Sequence, residues 1–238
     1  MSGGEIAHER GSTRRLDPAP TRSERVLLAC GNSLDREAIS NWLRQRGGYT
    51  NLQASRDWKH TLQSCDHSSV DLLIADVQMQ DFDMTTAIGA LRSGHTRHLL
   101  VLDDCPREGR LAAVRCIPGV SYISRQAGAA ELLLTLEDIL NYGRRVFDPA
   151  LAGRIHRTPR GFHLQAPKNG TSISQLSKRE LEVMLLLAQV ASVREAAQEL
   201  NLSASTVDNH RSRLMKKLNV HKATELTRRA IRDGLLSV

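Results

Sequence analysis

The sequence predicts an α/β domain built on a doubly wound parallel sheet, followed by a smaller all-helical domain. Short apolar runs alternate with helical patterns between residues 24 and 143, whereas only helical periodicity occurs after residue 174. The length of 238 residues is enough for two separate cores. These observations favour a (βα)5 unit with four helices behind it.

Five apolar runs are predicted as the strands of the first domain. The run at 70–77 contains little polar alternation, which is typical of a parallel strand covered by helices on both faces, and the run at 51–54 is the weaker pattern. The runs are residues 25–30, 51–54, 70–77, 98–103 and 120–124.

A helical pattern follows each predicted strand. In the first of these helices, Leu34, Ile39 and Leu43 lie near one face, and the pair Gly47-Gly48 is expected to end it. The predicted helices cover residues 33–48, 58–63, 84–93, 107–115 and 128–143.

The carboxyl ends of the predicted strands carry the candidate pocket of this domain. Parallel strands end at one edge of a sheet, and binding sites form there in doubly wound folds. The residues at these ends are Cys30, Gly31, Asp76, Asp103, Asp104 and Arg125.

Charge is divided unevenly along the chain. In residues 24–143, 12 basic residues face 15 acidic ones, whereas residues 144–173 carry 6 against 1 and residues 174–238 carry 11 against 7. A basic end on a mildly acidic body suggests a polyanionic partner for that end. Residues 144–173 are rich in Pro and Gly and are expected to be a linker, with a short helix starting at Asp148-Pro149. Residues 1–23 are expected to be a disordered leader.

Several classes of protein are disfavoured by the sequence. No apolar run reaches the roughly 18 residues of a membrane span, and no secretory signal is present, so we expect a cytoplasmic protein with no membrane contact. We expect no enzyme, no cofactor and no metal, because the sequence shows no nucleophile–base pair, phosphate-binding glycine loop or metal-ligand spacing. The cysteines form no CxxC pair and are expected to be reduced thiols; they are Cys30, Cys65, Cys105 and Cys116.

Four helices are predicted in the C-terminal region, over residues 176–189, 193–200, 203–218 and 222–236. Ser177 and Glu180 form a capping box at the start of the first, and Ser203 is the expected N-cap of the third. Two short helices joined by a tight turn, the second of them basic, favour a helix-turn-helix that inserts a helix into the major groove of double-stranded DNA.

Sequence motifs in this region resemble those of the LuxR/FixJ helix-turn-helix family over about 60 residues. The first helix carries the family pattern from Leu176 to Glu180. The third carries Thr206, Val207, His210, Leu214, Lys217 and Leu218 at the family spacing. The resemblance implies a sequence-specific transcription regulator that contacts bases through Asp208, Asn209 and Ser212 and dimerises through residues 224–235.

The expected DNA-binding surface lies on the third helix. Asn209 suits an adenine edge and Arg213 a guanine, while cationic and hydroxyl side chains suit phosphates. Asp208 is explained either by a cytosine amino group or by a bond to Arg211 or Arg213. The complete expected surface is Ser203, Ser205, Thr206, Asp208, Asn209, Arg211, Ser212, Arg213, Lys216 and Lys217.

An α/β domain ahead of such a helix-turn-helix resembles the NarL/FixJ response regulators and their receiver domain. Asp76 occupies the position of the phosphate-accepting aspartate. At the flanking positions, receivers have an acidic pair, a Thr or Ser, and a Lys. This chain instead has Cys30 with Gly31, Asp103 and Arg125 there, so the resemblance fails at these positions. We therefore expect an atypical receiver in which Arg125 pairs with Asp76 or Asp103, without ordinary Mg²⁺-dependent aspartyl phosphorylation.

Alternatives remain open at this point. The protein is either such a regulator, a phosphorylation-dependent two-component regulator using Asp76, or a heterodimer partner of another regulator instead of a homodimer. A metal held by Asp76, Asp103 and Asp104 in a changed geometry is a further possibility. Three explanations are open for how the activity of the regulator is controlled: by the abundance of the protein, by a ligand or protein bound at the strand-end pocket, or by thiol chemistry between Cys30 and Cys105.

Overall fold

The structure is a computed structural model that describes residues 21–105, 107–148, 155–158, 161–164, 172–189 and 192–236. Within this part of the chain, no helix combines the length and the apolar character needed to cross a membrane.

A five-stranded sheet forms the centre of the first domain. Every pairing in it is parallel, and the strand order is β2-β1-β3-β4-β5. This arrangement confirms the predicted doubly wound α/β fold. The strands are β1 (Val26–Ala29), β2 (Leu52–Ser55), β3 (Val70–Asp76), β4 (Thr96–Leu102) and β5 (Val120–Ile123).

Helices alternate with these strands, and four more lie in the described residues of the C-terminal region, as predicted. The first five are α1 (Ser33–Gly47), α2 (Trp58–His67), α3 (Met84–Arg92), α4 (Glu108–Cys116) and α5 (Ala129–Tyr142). The last four are α6 (Lys178–Ala188), α7 (Val193–Glu199), α8 (Ala204–Leu218) and α9 (Ala223–Arg232). A 3₁₀ helix over Ile173–Gln175 precedes α6.

Short polar side chains cap the helices where the sequence places them. The Asn32 side chain accepts hydrogen bonds from the backbone N–H groups of Leu34 and Asp35 at the start of α1. Gly48 ends the same helix in the left-handed conformation, at φ 72°, which a glycine adopts without the steric cost that a side chain brings. The boundaries of α1 are therefore encoded locally.

Apolar side chains cover both faces of the sheet. Leu28, Ile74 and Leu100 lie in a cluster on the side of α1 and α5. The cluster on the other face contains Leu73 and Leu99 and includes α4. It continues without a break into the C-terminal helices, where Leu181, Met184, Val207 and Leu214 belong to it.

Hydrogen bonds to backbone carbonyl oxygens join α4 to the C-terminal region. The Arg115 guanidinium donates to the carbonyl oxygens of Ser174 and Leu176, at 3.2 and 2.8 Å. The Gly109 N–H donates to the carbonyl oxygen of Asp233 at 2.9 Å, and Arg110 Nε donates to that of Gly234 at 3.1 Å. These bonds fix α4 against the 3₁₀ helix and the end of α9.

An antiparallel hairpin of β6 (Ile155–Thr158) and β7 (Gly161–Leu164) lies in the stretch expected to be a linker. No strand was predicted in this stretch. The short helix expected from Asp148 falls mostly on residues 149–154, outside the described residues, and Ile155 at its expected end is in a strand. The Asp148 carboxylate accepts a hydrogen bond from the Ser124 N–H at 2.6 Å.

The close contact at Gly109 predicts that one methyl group added at this residue weakens the junction between α4 and the C-terminal region. An ideal Cβ at Gly109 lies 2.6 Å from the Asp233 carbonyl oxygen, so Gly109→Ala forces the two regions apart. We expect the free energy of unfolding of the full chain, measured in urea, to fall by about 1–3 kcal/mol.

Gly89→Ala is the matched control, because nothing lies within 4 Å of a Cβ built at this helical glycine. It is expected to raise stability by about 0.5–1 kcal/mol through helix propensity. Equal stability of the two variants would contradict the proposed contact.

Candidate functional site

Helix α8 begins and ends at residues suited to those positions. The Ser203 hydroxyl accepts a hydrogen bond from the Thr206 N–H at 3.1 Å, as the predicted N-cap. Asn219 ends the helix in the left-handed conformation, at φ 51°. Val207, Leu214 and Leu218 are buried and attach one face of α8 to the apolar cluster. The opposite face is left to solvent.

The predicted DNA-binding residues form the solvent-facing surface of α8. Ser205, Asp208, Asn209, Ser212, Arg213 and Lys216 recur at helical spacing and are all exposed, so they share one face. Ser203 and Lys217 are also exposed, at the two ends, and Thr206 and Arg211 are half-buried at its borders. The structure therefore brings all ten residues onto one helix surface.

Ion pairs distinguish the cations of this surface. The Asp208 carboxylate pairs with Arg211 at 2.9 Å, one turn further along α8, which is one of the two explanations given for an acidic residue here. Lys217 Nζ donates to Glu180 Oε2 at 2.6 Å and to the Gln175 carbonyl oxygen at 3.3 Å. Among the described residues, neither Arg213 nor Lys216 has a carboxylate within ion-pair distance. These two cations remain available for a polyanion.

Glu180 links the start of α6 to α8. Its carboxylate accepts a bond from the Ser177 N–H at 2.7 Å and completes the predicted capping box, while the same oxygen accepts from Lys217. Burial alone would raise the pKa of Glu180, but the hydrogen bonds from Lys217 and Ser177 outweigh it and lower the pKa below its usual value. The Lys217–Glu180 pair therefore holds α8 in place.

The second candidate site lies at the carboxyl ends of the strands, around Asp76. This residue is 2% exposed. Arg125 Nη1 donates to Asp76 Oδ2 at 2.5 Å, and the Gln78 N–H donates to Oδ1 at 2.9 Å. The Cys30 thiol donates to Oδ2 at 3.5 Å. The predicted salt bridge of Arg125 is therefore made to Asp76.

Arg125 lies at the centre of a larger ionic cluster. Its guanidinium also donates to the Asp35 carboxylate, and Nε lies 3.7 Å from Asp104 Oδ2. Asp103 is not part of this cluster, because its carboxylate pairs with the Arg110 guanidinium, at an N–O distance of 2.8 Å. Neither Asp35 nor Arg110 was predicted as a site residue, although each lies in the first turn of a helix that follows a strand end.

The residues around Asp76 do not fit the magnesium site that the receiver fold implies. Burial, together with the negative charge of Asp76, raises the pKa of Cys30 to about 11, so its sulfur is a neutral thiol near neutral pH. Gly31 provides no side chain, and Arg125 already neutralises Asp76. In the part of the chain that the structure describes, no three acidic, His or Cys side chains are grouped to hold a metal ion.

Thiol chemistry between Cys30 and Cys105 is also poorly supported by these surroundings. Cys30 is buried and Cys105 is exposed, and both are free. Because the thiolate is the reacting form in disulfide formation, the raised pKa of Cys30 makes it a weak nucleophile.

Comparisons with known proteins show what this chain is similar to. Residues 174–230 match the family described as bacterial regulatory proteins, luxR family. The response regulator UvrY of Escherichia coli is 26% identical over 211 residues, covering 88% of this chain and 94% of that protein. A putative transcriptional regulator of Pseudomonas aeruginosa is 29% identical over 220 residues, covering 89% of this chain and 99% of that protein.

Among solved structures, the RcsB response regulator of Salmonella typhimurium covers 88% of this chain and 98% of its own, with 21% identity and a TM-score of 0.46.

The Glu180–Lys217 pair predicts an acid-sensitive link between α6 and α8. Because the folded-state pKa of Glu180 is lowered, its contribution to stability is present above the pKa of the unfolded chain and is lost as pH falls through the folded value. Glu180→Gln is expected to reduce the free energy of unfolding most above about pH 5, with the difference from wild type shrinking on acidification.

Glu199→Gln serves as the control, because Glu199 is exposed at the end of α7. Urea unfolding at several pH values would measure both variants. A deficit of Glu180→Gln that is the same at acidic and neutral pH would refute this role.

Proposed function

We propose that this chain is a response regulator that binds specific DNA sequences to control transcription, without Mg²⁺-dependent aspartyl phosphorylation. The match of residues 174–230 to the luxR family of bacterial regulatory proteins supports the DNA-binding role. The observation that carries the proposal is the exposed polar face of α8, whose Arg213 and Lys216 have no carboxylate partner among the described residues. We propose domain limits of 24–143 and 174–238, and a cytoplasmic, non-enzymatic role.

The proposed binding mode places α8 in the major groove of double-stranded DNA. Ser203 and Ser205 lie at its N-terminus, where backbone N–H groups and hydroxyls suit a phosphate. Asn209 lies one turn further along the same face and offers the donor–acceptor pair that matches an adenine edge. Lys216 and Arg213 supply positive charge, with Arg213 also able to reach a guanine.

Phosphorylation independence is supported by the ionic cluster at Asp76. Aspartyl phosphorylation develops negative charge that a metal and a free cation must offset. Here Arg125 is shared among Asp76, Asp35 and Asp104, and the thiol of Cys30 stands where a metal-binding carboxylate is expected. A phosphoryl group on Asp76 would first have to displace Arg125.

A dimer is the proposed DNA-binding form, with residues 224–235 as its contact. Leu226 and Ala230 of α9 pack inside the domain, whereas Thr224 and Arg228 are exposed on the other face. A homodimer is proposed first. Pairing with a second regulator predicts instead that the purified protein alone retards no promoter DNA in a gel-shift experiment until that regulator is added.

Lys216→Ala tests the groove-bound orientation of α8. Removing one phosphate contact is expected to weaken duplex binding and to reduce the slope of log affinity against log salt by about 1. Lys59→Ala, an exposed lysine on α2, is the control and is expected to leave the slope unchanged. Lys217 is a poor choice for this test because its loss also breaks the pair with Glu180.

An unchanged salt slope and affinity for Lys216→Ala would rule out the proposed orientation. Fluorescence anisotropy of a labelled duplex at several salt concentrations measures both quantities.

Incubation with Mg²⁺ and acetyl phosphate tests phosphorylation independence. The wild-type chain is expected to keep its intact mass, because Asp76 is already bound to Arg125 and no magnesium site adjoins it. Asp76→Asn provides the control for site assignment by mass spectrometry. A stoichiometric, base-labile phosphoryl group that is present in wild type and lost in Asp76→Asn would overturn this part of the proposal.

A further inference from the structure

A cavity of about 350 Å³ lies between α1 and α5, beside the Arg125 cluster. Its polar end is formed by Asp35, Asp76 and Arg125, with Ser124 and Cys30 next to them. The remaining walls are mainly apolar and come from both helices and from the ends of β4 and β5. They include Ile39, Trp42, Leu102, Ile123 and Leu132.

The size and lining of this cavity suit a small organic molecule. Ligand sites in proteins have volumes of roughly 300–1,000 Å³ and combine apolar walls with a few polar groups that orient the ligand. An apolar cavity of roughly 150 Å³ accepts benzene, so this one has room for a bicyclic ring system. Trp42, which is only half-buried, offers an aromatic surface at the side of the cavity.

The charged groups at the polar end of the cavity determine which charge a ligand there must carry. All three guanidinium nitrogens of Arg125 face carboxylates, those of Asp76, Asp35 and Asp104. A carboxylate or phosphate on the ligand would have to compete with these groups for the same donors. The nearby cation Arg36 donates instead to the Cys30 and Gly31 carbonyl oxygens and does not line the cavity.

A positively charged ligand meets more favourable surroundings. Two carboxylates and one guanidinium line the cavity, and Asp35 is 36% exposed, so it can accept a further hydrogen bond. The first turn of α5, at Ala129, contributes the opposing field of a helix N-terminus, equivalent to about half a positive charge. This half charge is smaller than the net charge of −1 that Asp35, Asp76 and Arg125 carry together.

We propose that the cavity between α1 and α5 is a binding site for a small aromatic amine, with its ring system between Ile39, Trp42 and Leu132 and its ammonium group on Asp35. This site goes beyond the proposed DNA-binding function and does not depend on it. Through this site a small molecule binds the α/β domain, and the binding requires neither a metal nor a phosphoryl group.

A titration of the ¹⁵N-labelled full chain with 2-naphthylmethylamine tests the site, because the two tryptophans report on different places. Trp42 lines the cavity, whereas Trp58 lies on the opposite face of the sheet and donates its indole N–H to Thr86 at 2.9 Å. We expect the indole N–H resonance of Trp42 to shift and saturate with a Kd below about 1 mM, while that of Trp58 stays in place.

The charge assignment is tested by 2-naphthylacetate, which has a similar ring and the opposite charge. It is expected to bind at least about tenfold more weakly than the amine. Asp35→Asn is expected to abolish this preference. Glu37→Gln, an exposed charge on the same helix outside the cavity, is the matched control and is expected to retain it.

A Trp42 resonance that does not move at millimolar amine overturns the binding site. Equal binding of the acetate overturns the ligand class, and equal behaviour of Asp35→Asn and Glu37→Gln overturns the role of Asp35. Loss of DNA binding in Lys216→Ala leaves the Trp42 titration unchanged, so failure of the DNA-binding proposal is measured separately.

Discussion

The burial of helix α6 on almost all of its surface is the constraint on which the arrangement of the molecule depends. Leu181, Val183, Met184, Leu185 and Leu186 are at most 5% exposed, and a helix that is apolar around its circumference has to be enclosed by other elements. Helices α7, α8 and α9 contact it, and so does α4 of the α/β domain. The helix proposed to bind DNA and the α/β domain therefore share a single apolar cluster.

At the strand-end site, the guanidinium of Arg125 takes the place of a metal ion. Asp76 is almost fully buried, and a buried carboxylate without a partner is strongly destabilising. Arg125 provides that partner and also pairs with Asp35 and Asp104, so the charge of Asp76 is balanced without a metal ion. The cavity beside it is left lined by apolar walls and by an acidic side chain with an accessible oxygen.

Local sequence patterns predicted most of the helices and strands. Contacts between residues far apart in the sequence could not be predicted in the same way. Apolar runs and caps such as Ser177 and Ser203 located the strands and helices within a few residues. A bond from Arg125 to either Asp76 or Asp103 was predicted because all three residues end strands of one sheet, and the structure shows the bond to Asp76. The partners Arg110 and Lys217 were not predicted, since pairing with Asp103 or Glu180 depends on how helices pack. The β6–β7 hairpin lies in a stretch whose many Pro and Gly residues gave no strand pattern.

Selection of bound duplexes from a random DNA pool tests most directly whether α8 contacts bases. Wild type is predicted to enrich one sequence with two symmetric half-sites about one helical turn apart, as expected for a dimer. Asn209→Ala is predicted to enrich the same sequence with one adenine position relaxed in each half-site. Enrichment of no sequence by wild type, or an identical preference in Asn209→Ala, would contradict the placement of α8 in the major groove.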